Sequence, residues 1–116
     1  MAEDKRLGKL AEEKFNLAEK GKAIILIPTI VLAEILYILE KKNYNMKFRD
    51  IINKIEFSWN FKIMPLDLRI IKEIVNLRKL NDLHDRIIVA SALVMNAGLI
   101  TKDESIKRSR YVEVIW

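Results

Sequence analysis

The sequence predicts an α/β domain built on a mostly parallel sheet. Three observations carry that prediction. Short apolar runs closed off by glycine or proline alternate with longer amphipathic stretches. One stretch, residues 83–97, is apolar nearly all round, as a central buried helix is. The chain has 116 residues, 51% hydrophobic and 32% charged, which suits one soluble domain with a real core.

The elements follow in order. Residues 4–20 read as a helix, with Leu7, Leu10, Ala11, Phe15 and Leu17–Ala18 at helical spacing and Gly21 as its stop. Ala23–Ile27 is an apolar run between Gly and Pro, the pattern of a strand buried on both faces. Pro28 ends it and Thr29 is placed to cap a helix over 30–42. After the polar break Asn43-Tyr-Asn45, residues 46–58 form an amphipathic helix with Met46, Ile51, Ile52 and Ile55 inward. Phe61–Met64 is a second strand, ended by Pro65. Asp67 caps a helix to about Leu80 that carries Leu68, Ile70, Ile71, Ile74, Val75 and Leu77. Asn81-Asp82 breaks that helix and caps the central one, and Gly98 suits its C′ position. Leu99–Thr101 is a short strand, Asp103–Ser109 a turn of helix, and Tyr111–Trp116 a last strand.

Composition removes whole classes of chemistry. There is no cysteine, so disulfide scaffolds, zinc ribbons and thiol nucleophiles are excluded. The single histidine, His84, rules out a two-His metal site within one chain, and three glycines supply no phosphate-binding loop. Net charge is +5, a mild tilt toward polyanionic partners, with basic residues spread along the chain. The first residues are too charged for a secretory leader, and Ile24–Leu39 is too short and too interrupted by Pro28 and Glu34 to span a bilayer. No membrane association is expected, and the cytoplasm is the expected compartment.

What remains for chemistry is carboxylates. Glu34 lies within the apolar run Ile30–Leu39, where an ionised group needs a partner, a metal or a thin polar stripe. Asp85 begins the central helix, where the helix dipole alone explains an acidic residue. Asp103 follows a strand, where it also serves as a helix cap. All three fall past strand ends or at helix starts, the side of an α/β sheet where ligands bind. They are 51 and 18 residues apart in sequence, so only folding brings them together. Converging carboxylates repel by about 1 kcal/mol per pair in water and more in a cleft, which a divalent cation relieves. Oxygen-only ligation suits Mg²⁺ or Mn²⁺.

Three segments carry a resemblance. Ile27-Pro-Thr-Ile-Val-Leu-Ala-Glu34, Leu83-His-Asp-Arg-Ile-Ile-Val-Ala-Ser-Ala92 and Leu99-Ile-Thr-Lys-Asp-Glu104 resemble the segments holding the second, third and fourth acidic residues of PIN domains. The chain looks similar to VapC-type toxins of prokaryotic toxin–antitoxin pairs. The resemblance implies a three-layer α/β/α fold and a metal-dependent endoribonuclease. Glu34, Asp85 and Asp103 would be its catalytic and metal-binding carboxylates, with Thr101 supporting them and Mg²⁺ or Mn²⁺ as cofactor. Arg86 and Lys102 are placed to face substrate phosphates. RNA, an antitoxin protein and a second copy in a homodimer are the implied partners.

The pattern departs from the family at its start. The family's first acidic residue ends an N-terminal strand in an Asp-Thr or Asp-Ser motif, and only Met-Ala-Glu precedes Asp4-Lys-Arg-Leu7 here. The expectation is a single truncated domain over residues 1–116, lacking the central first strand and first helix, roughly 15–20 residues by ordinary element lengths. Two inner strand edges would stand unpaired, with the sheet closing over the gap or a neighbouring chain filling it. Glu3 or Asp4 is a poor substitute, since neither follows a strand. A catalytically inactive module that binds RNA or an antitoxin is therefore the alternative. An unrelated receiver-like binding domain fits less well, because Ala23–Ile27 ends in Pro28 and not aspartate. Among other residues, His84 is a general base or a surface histidine. Phe57, Trp59 and Phe61 with Lys54 and Lys62 stack bases or pack in a core or dimer. Apolar residues of helices 30–42 and 46–58 supply core or a dimer face, and Trp116 packs.

Overall fold

Alternating helices and strands over the whole chain give the element order predicted. The structure, a computed structural model, describes residues 7–43 and 47–116. Its elements are α1 (Lys9–Glu19), β1 (Ile25–Pro28), α2 (Thr29–Lys41), α3 (Phe48–Phe57), β2 (Phe61–Met64), α4 (Leu68–Ile74), α5 (Leu83–Val94), β3 (Leu99–Ile100), α6 (Glu104–Ser109) and β4 (Val114–Ile115). The expectations for Glu3, Asp4 and Met46 fall outside the described residues.

Both strand pairings are parallel. β1 pairs with β2 in the register Ile25↔Phe61 to Pro28↔Met64, and β3 pairs with β4 through Leu99↔Val114 and Ile100↔Ile115. Each pair needs a helical crossover, which is why helices separate all the strands. The expected single sheet is not formed among the described residues. There are two two-stranded sheets, and their free edges border one cavity of about 610 Å³. The sheet therefore does not close over the gap.

The central helix is as expected. α5 buries Ile87, Val89, Ala90, Ser91 and Ala92, and Ser91 returns its hydroxyl to the Ile87 carbonyl at 2.7 Å. Its main partner is α4, and the core joins Met64, Ile70, Leu77, Leu80 and Ile106 to α5. Helix starts are fixed by aspartates: Asp67 accepts from the Ile70 N–H, Asp82 from the Asp85 N–H and Asp103 from the Ile106 N–H.

Four local expectations are corrected. The helix predicted to Leu80 stops at Ile74. Two tight turns follow, Leu77 N–H to Ile74 C=O and Leu80 N–H to Leu77 C=O, and they bury both leucines. Tertiary bonds hold that segment out of the helix: the Tyr111 hydroxyl accepts from the Lys79 N–H, and Arg86 Nε donates to the Leu80 carbonyl. As a result Leu68, Ile71 and Val75, read as inward, are exposed. At the end of α5 the left-handed residue is Asn96 (φ 50°), not Gly98, because asparagine also tolerates that conformation. Thr29 is the first residue of α2, and its N-cap position is taken by Pro28, which has no N–H to lose. Gly21, at φ +77°, does end α1 as predicted.

Candidate active site

The carboxyl ends of β1 and β3 set the site. Glu34 lies on α2, which leaves β1 directly through Pro28. Asp85 lies in the first turn of α5, and Asp103 is the N-cap of α6, just beyond β3. Asp85 and Asp103 both border the cavity between the two sheets, with Thr101 between β3 and Asp103. Three segments distant in sequence thus meet at one mouth.

The electrostatics of the mouth are those of crowded like charges. Partial burial pushes the Asp85 carboxyl above its ordinary value, and the charges of Asp103, Asp82 and Glu34 push it further. His84 acts in the opposite sense. Asp103 is held below its ordinary value, first by the Ser105 hydroxyl and then by the Ile106 N–H. The Ser105 hydroxyl donates to Asp103 Oδ1 at 2.6 Å, and the Ile106 N–H donates to the same oxygen at 2.9 Å. The two aspartates have therefore been driven apart in acidity by their surroundings, a pattern common at functional sites.

Glu34 is the outermost of the three. Its Oε2 lies 3.5 Å from His84 Nδ1, and both side chains are partly exposed. Thr101 Oγ1 accepts from the Asp103 N–H at 3.1 Å and fixes the turn that presents the aspartate. Arg86 is half-buried and spends Nε on the Leu80 carbonyl, so its backbone tie is structural. Lys102 is exposed beside Asp103. Of the aromatic residues, Phe57 and Trp59 are exposed, which removes the core reading for both. Trp59 lies against Gly21. Sequence reasoning passes over Ser105. Its signal is the Asp-x-Ser pattern at a helix start, in which the serine hydroxyl can reach back to the cap.

Hard oxygen donors are the right chemistry for Mg²⁺ or Mn²⁺. Among the described residues, however, no group of three carboxylates is close enough to cage a cation. That is compatible with Mg²⁺, which keeps several waters and is usually bound through one or two carboxylates. The donor set fits a hydrated divalent ion and not a dehydrated one.

The PIN domain model matches residues 3–110 of the sequence. The chain belongs to the PIN domain family. The fold of this PIN domain is similar to that of a chain in the crystal structure of VapBC2 from Rickettsia felis bound to a DNA fragment from their promoter. The TM-score is 0.65 at 23% identity, covering 89% of this chain and 80% of that one. No curated protein matches the sequence. Among the described residues no helix is long and apolar enough to cross a membrane.

Proposed function

We propose that this PIN domain is a VapC-like endoribonuclease, the toxin of a toxin–antitoxin pair, acting on RNA with Mg²⁺ or Mn²⁺ at Glu34, Asp85 and Asp103. One observation carries the reading: Asp85 and Asp103 border one mouth at the strand ends, and Glu34 and Asp103 both raise the acidity constant of Asp85. Such stored repulsion is relieved by a cation and serves no purpose in a purely structural cluster. When bound, the cation polarises a phosphodiester and makes water more acidic. Asp103, held ionised by Ser105 and the α6 N-terminus, is the fixed anion of the set. Asp85, the more readily protonated, is the group suited to take or give a proton. Thr101 orients Asp103, and Lys102 with the free face of the Arg86 guanidinium approaches substrate phosphate.

The similar VapBC2 structure supports an antitoxin as partner. Exposed Tyr37 and Ile38 on α2 and Phe57 on α3 support a homodimer, since isolated α3 buries no residue fully. A cytoplasmic location follows from the same reading.

A second reading has its own observation: no three carboxylates among the described residues converge on a single point. It makes the chain a PIN module that binds RNA or an antitoxin without cleaving. A fluorescent RNA oligonucleotide incubated with protein and Mn²⁺ separates the two. Cleavage abolished by EDTA and by Asp85→Asn supports the nuclease. Retention of intact RNA on the protein supports the binding module, and cleavage that survives EDTA refutes the metal site.

A further inference from the structure

The cavity between the two sheets has walls made of backbone as well as side chains. On β1, the Ile25 N–H donates to the Asn60 carbonyl at 2.9 Å, on the β2 side. Along a strand the peptide groups alternate between its two edges. Leu26 therefore turns its N–H and C=O away from β2, and it borders the cavity. On β3, Leu99 donates to Glu113 at 2.8 Å and Thr101 to Ile115 at 3.2 Å, both on the β4 side. Ile100, between them, turns its N–H and C=O to the other edge and also borders the cavity. Among the described residues neither Leu26 nor Ile100 finds a backbone partner for these groups. The remaining lining is mostly apolar and includes Phe15, Val31 and Ile88.

We propose that this slot binds an extended apolar segment of polypeptide, added as a strand that bonds to Leu26 on one side and Ile100 on the other. Two facing edges with unpaired groups at strand alternation select a peptide backbone over a small apolar ligand, which would leave those groups unsatisfied. β1 has four residues, so the contact is about 13 Å long at 3.3 Å per residue, enough for about four residues of the guest. Charge adds a preference. The carboxylates of Asp85, Asp103 and Glu113 border the slot against one lysine, Lys14, which favours a guest with basic flanks. The inference is independent of the nuclease reading, because it rests on backbone groups and is read without activity.

The probe is the peptide Ac-Lys-Val-Ile-Val-Ile-Lys-amide, added to the full chain. Binding should slow hydrogen exchange at the Leu26 and Ile100 amides about tenfold or more and raise the melting temperature with peptide concentration. The same peptide N-methylated at alternate residues should do neither. Leu26→Pro removes a donor that the β1–β2 ladder does not use, and should weaken binding while leaving Phe61–Met64 protected. Unchanged exchange at Leu26 and Ile100, or equal binding of the N-methylated peptide, overturns the proposal. So does protection of both amides that rises with protein concentration alone, which would make the slot an interface between copies of this chain.

Discussion

Asp103 raises the pKa of Asp85 across the mouth of the cleft, while its own carboxyl is held low by Ser105 and the start of α6. One carboxylate is thus anchored as an anion at the expense of the other. Stability and function are opposed at Asp85. Replacing it by Asn removes the repulsion with Asp103, Asp82 and Glu34 and keeps the size of the side chain. Asp85→Asn should stabilise the metal-free protein by roughly 0.5–1 kcal/mol, in the range for relieved charge crowding. It should also cancel any rise in melting temperature on adding Mn²⁺. Urea unfolding and a Mn²⁺ thermal titration check both halves. A variant less stable than wild type would show that Asp85 is a structural cap.

The same pair predicts a pH profile with two windows of opposite sign. Asp85 has a folded pKa raised above its ordinary 3.8, so the folded protein takes up its proton more readily than the unfolded chain. Its penalty is full at neutral pH and is relieved as pH falls through the raised value. Asp103 has a folded pKa lowered below 3.8, so its contribution is full above 3.8 and is lost as pH falls through the lowered value. Wild type should therefore gain on Asp85→Asn between pH 7 and about pH 4, and both should lose stability together below that. Unfolding free energies measured from pH 7 to 3 test this. A difference between the two proteins that does not change with pH would sink it.

Much of this was legible in the residues because the signals were local. Gly21, Pro28 and Pro65 punctuate the chain whatever its tertiary context, and the predicted strand Phe61–Met64 matches β2 residue for residue. Asp67, Asp82 and Asp103 cap helices by bonds within three residues, so sequence alone exposes them. The segment after Ile74 was not legible. Helical spacing continues through Leu77, but the bonds that break the helix come from Tyr111 and Arg86, which no local window contains. The candidate site follows the same division. The positions of Glu34, Asp85 and Asp103 could be read, but the Ser105 bond that sets Asp103 apart could not be read from an apolar pattern.

That break predicts a contrast between two leucines of similar local pattern. Leu77 is 1% exposed in a turn and Leu68 is 64% exposed on α4. Leu77→Ala should cost about 2–5 kcal/mol, the range for a buried leucine truncated in a packed core. Leu68→Ala should change stability by less than about 0.5 kcal/mol. Urea denaturation of both variants gives the comparison. Equal costs would mean that the helix runs on past Ile74 and that both leucines share a buried face.

Gly8 predicts the last contrast, where the two ends of the described fold touch. A Cβ built there would lie 1.9 Å from the Trp116 carbonyl oxygen and 2.3 Å from its carbonyl carbon. Both are backbone atoms, so neither can rotate aside as a side chain would. Gly8 has φ −66° and ψ 156°, a conformation alanine adopts freely, so Gly8→Ala carries no dihedral penalty of its own. Its whole effect is the collision, which must push Trp116 from the start of α1. The Ala11 N–H donates to that same Trp116 carbonyl at 2.9 Å, and Ala11 is fully buried, so the bond is lost without water to replace it. The overpacking costs about 1–3 kcal/mol and the lost bond about 1 kcal/mol more. Gly8→Ala should therefore destabilise the protein by about 2–4 kcal/mol and release the Ala11 amide to hydrogen exchange, with Leu26 unaffected. Wild-type protection at Ala11 in a folded Gly8→Ala variant would show that the two ends are not in contact.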